Sequence, residues 1–167
     1  LEEDLLLDIA AFTELLHNAS LIHDDLIDND EERRGCETPW KKYGRNKALL
    51  MGDLLIAKSV ALSTNINTEP TVSVAWASEI SNCVISAVRG AVNELDFAST
   101  STEDILCKYT EMSRNKTGVM FALPARCVAI AAKKNQLCLD SITEIFTNFA
   151  IAYQIRDDQA DYLGVKK

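Results

Sequence analysis

The feature that most limits how this chain can fold is a long, unpunctuated helical period. Leu5, Ile9, Phe12, Leu16 and Ala19 recur at three- and four-residue intervals, with no glycine or proline before Gly35. Such spacing lines apolar side chains along one helix face. One long helix is therefore predicted from about Glu2 to Asp28. The polar stretch Asn29 to Tyr43, which carries Gly35 and Pro39, predicts a loop. Further helices are expected over about Asn46 to Ser63, Thr71 to Phe97 and Leu137 to Tyr162, with "TNINTEP", "ASTSTED" and "KKNQ" as connections. Short helical pieces fill the chain up to Met112, entered through an N-cap at Ser101 or Thr102. Thr117 to Lys133 is helical in pattern, and Pro124 inside it predicts a kink. Six glycines and three prolines in 167 residues favour long helices over a many-turned sheet. The expected fold is all-α, a bundle of long, mostly antiparallel helices forming a single domain over residues 1–167. The chain opens directly into a helical pattern and stops just after a charged cluster, so it is expected to be incomplete at both ends.

Charge and cysteine content narrow the function classes. The formal net charge is −8, which disfavours general affinity for nucleic acid or anionic lipid but permits a local basic site. Cys36, Cys83, Cys107, Cys127 and Cys138 are odd in number and contain no C-x-x-C pair. They are expected to be reduced thiols of a cytoplasmic, reducing compartment, most of them core filler. No signal peptide and no apolar run long enough to cross a membrane is expected.

The chemistry-bearing residues are acidic. Asp24, Asp25 and Asp28 form D-D-x-x-D, and Asp157, Asp158 and Asp161 repeat it. In each, the first and last carboxylates stack on one helix face, a turn apart. With 13 aspartates in the chain, shuffling would give one such motif about 0.08 times and two about 0.003 times. One copy would be a solvated helix end as readily as a site; the duplication argues for a site. Helix C-termini disfavour acids, and the first cluster falls where its helix should end. Carboxylates about 5 Å apart repel by roughly 3 kcal/mol per pair at an effective dielectric near 20. A hard divalent cation removes that repulsion, and Mg²⁺ takes carboxylates together with water and substrate phosphate oxygens. If the two helices are neighbours, the clusters can face each other across the mouth of the bundle. A magnesium-loaded acidic mouth would attract diphosphate, and Arg33, Arg34 and Lys116 would complete the neutralisation. Either arginine alone reads equally well as a surface ion pair with Glu31 or Glu32. His23 beside the first cluster reads as structural or supporting, and His17 as core or pocket wall.

Taken together, "LLHNASLIHDDLIDNDEERRG", "ALLMGDLL", "NKTG" and "YQIRDDQAD" resemble the trans-prenyltransferases, or isoprenyl diphosphate synthases, in order and spacing along nearly the whole chain. The resemblance implies a helical bundle around a deep apolar cavity. It implies ionisation of an allylic diphosphate under three Mg²⁺ ions, attack by the double bond of isopentenyl diphosphate, and loss of a proton. It would make Asp24, Asp28 and Asp157 magnesium ligands, with Asp25, Asp158 and Asp161 completing the clusters through metal or metal-bound water. Arg33 would hold the allylic diphosphate, Arg34 the isopentenyl diphosphate, and Lys116 the leaving diphosphate. Thr117 would sit beside the reacting carbons. Gln154 keeps the family's glutamine among the diphosphate-binding residues, and Tyr153 stands where phenylalanine is common. Asn93 and Asp96 in "NELD" carry over weakly, the family having a longer Gln or Glu at the first of them. Family members also have further helices before this segment and a basic tail after the second cluster. A homodimer is expected.

The resemblance also places Ala19 and Ser20, one turn before the first cluster, at the cavity floor. Small residues there imply a product of C20 or longer, unless Phe12 or Leu16 deeper in restores a floor. Two other readings stay open. A class I terpene cyclase shares the first motif, but cyclases usually replace the second with an Asn/Ser/Glu pattern. A non-catalytic regulatory subunit of a prenyl synthase tends to lose aspartates from one cluster. Both clusters are intact here.

Overall fold

The computed structural model describes residues 1–96 and 104–164, apart from the side chain of Asp161. The expected N-cap at Ser101 or Thr102 and the expected helix end at Phe97 lie outside the described residues. In chain order the structure has α1 (Glu3–Asp28), β1 (Glu32–Arg33), β2 (Cys36–Glu37), α2 (Pro39–Tyr43), α3 (Arg45–Asn65) and α4 (Pro70–Leu95). Then come α5 (Ile105–Ser113), a wide π-helical turn (Arg114–Gly118), α6 (Val119–Ala131) and α7 (Gln136–Tyr162). The fold is all-α apart from one two-stranded hairpin among the described residues. The chain divides into two compact units, Leu1–Ser73 and Val74–Lys166.

In the first unit α1 lies along α3. Ile9, Phe12, Leu16 and Ala19 are the buried apolar residues of α1, and α3 buries only Ala48, Gly52, Ser59 and Ser63. Small side chains on one helix let the backbone of the other come close. Ser59 Oγ donates to the Phe12 carbonyl at 2.7 Å. At Gly52 a side-chain carbon would lie 2.1 Å from His23 Nε2, so the imidazole occupies the space that the glycine leaves. That ring nitrogen lies 3.2 Å from the Leu49 carbonyl and 3.6 Å from Asp53 Oδ1. His23 is thus a packing and bonding group of the α1–α3 contact.

Asn29 to Tyr43 differs from the expected loop. Asn29 takes a left-handed conformation (φ 61°) and stops α1, its N–H returning to the Asp25 carbonyl. Arg34 (φ 54°) and Gly35 (φ 77°) then form a tight turn of the left-handed kind that short hairpins require. It pairs Glu32 with Glu37 and Arg33 with Cys36. The base is closed by the Asp30 carbonyl, which accepts from Thr38 Oγ1 and from Trp40 Nε1, both at 2.7 Å. Only Arg34 and Gly35 carry positive φ between the strands, and Gly35 alone among them is a marker that sequence patterns register.

In the second unit Trp76, Ile80 and Cys127 are fully buried. Trp76 Nε1 donates to the Cys127 carbonyl at 2.9 Å, tying α4 to α6. Arg126 spans three helices. It donates to both oxygens of Glu79 at 2.7 Å, to Thr143 Oγ1 at 2.7 Å and to the Leu139 carbonyl at 3.1 Å. α6 runs unbroken through Pro124. The helix ahead of it starts earlier than expected, because α5, the π-helical turn and α6 follow one another without a loop.

One expectation needs correction. Only Cys83 and Cys127 are buried, so most of the cysteines are not core filler. Burial pushes the Cys83 thiol up to about 12, which keeps it protonated and inert. In addition, Glu3–Asp28 and Pro70–Leu95 are long and apolar enough to cross a membrane, judged by length and composition alone. Core helices of water-soluble folds meet that measure too, so the two helices do not establish a membrane span.

Candidate active site

The first acidic cluster occupies the last two turns of α1. Asp25 is buried, 2% exposed, and its Oδ1 accepts from Arg33 Nε at 2.7 Å and from Nη2 at 2.6 Å. The hydrogen bond to Asp25, ahead of every other influence, pushes the Arg33 guanidinium above its ordinary value. Glu31 pairs with Lys41 at 2.8 Å, so it is Asp25 and not Glu31 that engages Arg33. Arg34 is exposed at the hairpin turn. Asp24 is half-buried and Asp28 exposed, one turn apart on α1. Arg45 closes the helix end: Nη1 donates to Asn29 Oδ1 at 2.8 Å and Nη2 to the Leu26 carbonyl at 3.0 Å. Ala19, Phe12 and Leu16 are buried, while Ser20 is half-buried and donates to the His17 carbonyl at 2.8 Å.

The second unit gathers Lys116, Thr117, Gln154 and Asp158. Lys116 and Thr117 lie in the π-helical turn, a local widening that redirects side chains and often marks functional sites. The turn comes close to α4 because residue 90 is glycine: a side-chain carbon there would lie 2.4 Å from the Lys116 nitrogen. Lys116 Nζ donates to Glu94 Oε2 at 2.5 Å. Thr117 Oγ1 donates to Gln154 Oε1 at 2.9 Å, and Gln154 Nε2 donates to Asp158 Oδ1 at 2.9 Å. Tyr109 on α5 donates its hydroxyl to Asp158 Oδ2 at 2.5 Å. Burial first, and then this bond, holds the Tyr109 hydroxyl well above its ordinary range, so it remains a donor. The Phe121 ring lies 5.5 Å from the ring of Tyr153 and 5.6 Å from that of Phe149. Asp157 is half-buried on α7, and the Asp161 side chain is outside the described set.

Glu94 and Tyr109 were not among the residues expected from sequence. Asn93 and Asp96, the neighbouring positions that the sequence pattern points to, are both exposed. Glu94 stands one turn after Gly90 on α4, and that spacing could have marked it. Tyr109 could have been found by carrying one helix from α5 into Thr117, where a break was expected instead.

Among the described residues no group of three or more His, Cys, Asp or Glu side chains is gathered to hold a metal. The donor chemistry still fits magnesium. Asp24 and Asp28 offer oxygen alone from one helix face, and Mg²⁺ commonly takes one or two carboxylates and fills its octahedron with water and phosphate oxygens. A cavity of about 200 Å³ also opens beside Arg126, Glu79 and Cys83. Its guanidinium is already satisfied by Glu79, Thr143 and Leu139, so it serves packing.

The polyprenyl synthetase family model matches residues 2–167. A short chain isoprenyl diphosphate synthase from Methanocaldococcus jannaschii is 32% identical over 161 residues, 96% of this chain and 48% of that protein. A geranylfarnesyl diphosphate synthase from Aeropyrum pernix is 35% identical over 162 residues, 95% of this chain and 51% of that protein. The chain thus spans about half the length of these relatives. Among solved structures, a geranylgeranyl pyrophosphate synthetase from Pyrococcus horikoshii superposes with a TM-score of 0.85 at 31% identity, covering 96% of this chain and 49% of that one. An FPP/GFPP synthase from Zymomonas mobilis gives 0.90 at 28% identity, covering 100% and 62%.

The contact at residue 90 can be tested directly. Gly90→Ala gains up to about 1 kcal/mol of helix propensity, but its new carbon meets backbone that must shift, a cost of about 1–3 kcal/mol. Urea unfolding is expected to show a net loss of stability, and a gain would mean that the turn has room to move.

Proposed function

This chain belongs to the polyprenyl synthetase family, and from that premise we propose that it elongates prenyl chains. In the proposed reaction an allylic diphosphate condenses with isopentenyl diphosphate. The allylic carbon–oxygen bond breaks, a carbon–carbon bond forms and a proton leaves, giving a longer linear prenyl diphosphate and inorganic diphosphate. The observation that carries this reading is the set of side chains built around the two D-D-x-x-D motifs: Asp24 and Asp28 on one face of α1, and Asp158 bonded through Gln154 to Thr117 beside Lys116. The names of the quoted relatives support elongation over cyclisation. A single family match over residues 2–167 supports reading the chain as part of one synthase domain.

In this reading Asp24, Asp28, Asp157 and Asp161 hold Mg²⁺. When bound, the metal offsets negative charge developing on the departing diphosphate. Arg33 has two of its nitrogens on Asp25, so its remaining N–H groups face the allylic diphosphate while Asp25 keeps the side chain in place. Arg34 takes the isopentenyl diphosphate from its exposed position. Lys116, held by Glu94 in the structure, exchanges that partner for the leaving diphosphate. The aromatic rings of Phe121, Phe149 and Tyr153 give the prenyl chain an apolar surface that excludes water.

The first test is incubation with Mg²⁺, labelled isopentenyl diphosphate and a series of allylic diphosphates, followed by sizing of the extracted products. Label in a prenyl chain is expected, and Asp24→Ala and Asp157→Ala should each reduce it by at least about a hundredfold. Binding of allylic diphosphate without product would confine the chain to a partial site. Absence of both would remove the proposal.

Product length follows from α1. Ala19 is 0% exposed and shares its face with Phe12 and Leu16, and relatives are named for geranylgeranyl and geranylfarnesyl products. A product of C20 or longer is proposed. Ala19→Phe is expected to shorten it by one or more isoprene units; an unchanged length distribution would mean that the floor lies elsewhere.

A homodimer is also proposed. On α4, Ile85, Val88, Val92 and Leu95 are 49%, 56%, 51% and 64% exposed. They recur at i, i+3, i+7 and i+10, the spacing of a helix–helix seam. Val88→Glu with Val92→Glu should halve the mass measured by light scattering, whereas a monomeric parent protein would dismiss the dimer.

A further inference from the structure

In the second unit four side chains from α5, the π-helical turn and α7 make one continuous hydrogen-bond path. Tyr109 and Gln154 both meet Asp158, one at each carboxylate oxygen, and Gln154 meets Thr117. Only one polarity satisfies it. An ionised carboxylate accepts and never donates, so both of its neighbours must donate to it. Gln154 therefore turns its amide nitrogen to Asp158 and its carbonyl to Thr117. The threonine hydroxyl has a single proton and gives it to that carbonyl. Its lone pairs are left facing away from Gln154, on the turn that also carries Lys116.

We propose that Tyr109 is a positioning residue for elongation: through Asp158 and Gln154 it fixes the Thr117 hydroxyl as a hydrogen-bond acceptor presented to the reacting carbons. The proposal rests on the elongation reading above. An acceptor oriented in advance stabilises positive charge on the allylic carbons with no reorganisation at the moment of reaction. Tyr109 itself touches no substrate. Without its hydroxyl, Asp158 keeps Gln154 as its single clamp, so the carboxylate can swing, and the Gln154 amide and the Thr117 hydroxyl lose their fixed position with it.

A double-mutant cycle tests this. Tyr109→Phe is expected to lower kcat about tenfold, the weight of one hydrogen bond to a charged group, with KM for both diphosphates unchanged. In a Thr117→Val background the same change should lower kcat by less than about twofold, because the hydroxyl being positioned is gone. Thr117→Ser keeps the hydroxyl and should restore the full response. Equal losses in the two backgrounds, or an unaltered kcat in Tyr109→Phe, would overturn the proposal. A second readout needs no turnover: Tyr109→Phe should shift the side-chain amide resonances of Gln154 in the ¹⁵N spectrum and speed their exchange with solvent. Unmoved resonances would also overturn it. If the unsubstituted protein makes no prenyl product while the resonances move, the elongation reading falls, and the catalytic half of the proposal falls with it. The directed path would then stand as a structural device.

Discussion

Negative charge at the end of a helix is the constraint on which the first unit depends. The carbonyls of the last turn already carry the negative end of the helix dipole, and adding aspartates there is unfavourable. α1 has no basic residue in its last turn and places Asp24, Asp25 and Asp28 near that end. Cations from later in the chain offset this. Arg33 arrives through the hairpin and reaches Asp25, and Arg45 reaches the Leu26 carbonyl and Asn29 from the start of α3. The hairpin and the close α1–α3 contact are therefore what allow the acidic cluster to exist. A loop of looser geometry would leave Asp25 buried without a partner, at a cost of several kcal/mol.

The second unit solves a different problem, that of placing small polar groups accurately. Thr117 has a short side chain, so its hydroxyl can be located only as well as its backbone. Gly90 on α4 packs against the backbone of the residues just before it, Asn115 and Lys116. Gln154 on α7 accepts from the hydroxyl itself. The π-helical widening sets Lys116 and Thr117 at angles that a regular helix would not give. Such a turn is stable only where neighbours fix it, and Glu94 and Gln154 are among those neighbours.

Much of this was legible in the sequence, for identifiable reasons. Long helices follow from apolar periodicity, and the ends of α3 and α7 and the start of α4 lie within about two residues of those expected, the usual slack of boundary assignment. The acidic motifs were conspicuous because duplication is improbable by chance. What the sequence concealed depends on tertiary contact. Arg34 adopts positive φ without being glycine, and so gives no local sign of the turn. Tyr109 and Glu94 matter because α5 and α4 approach Asp158 and Lys116, an approach at which the spacing from Gly90 and an unbroken run from α5 only hint. By contrast, the helical pattern through Pro124 was legible, and α6 continues through it as expected.

The repeated motif divides its labour in a way that helix geometry dictates. Positions i and i+4 share a face, while position i+1 points about 100° away. The middle aspartate cannot join the other two on one ion without bending the helix. In each unit it is committed to a side chain of the protein itself. Asp25 turns inward and holds Arg33, and Asp158 accepts from Tyr109 and Gln154. The partners differ, because one aspartate is buried and the other exposed, but the effect is similar. A carboxylate that helix geometry keeps off the i, i+4 face becomes the anchor for a group with other work to do. In the proposed reading D-D-x-x-D serves two functions at once: a pair of oxygen donors for a hard cation, and an anchor that orients the residues beside it.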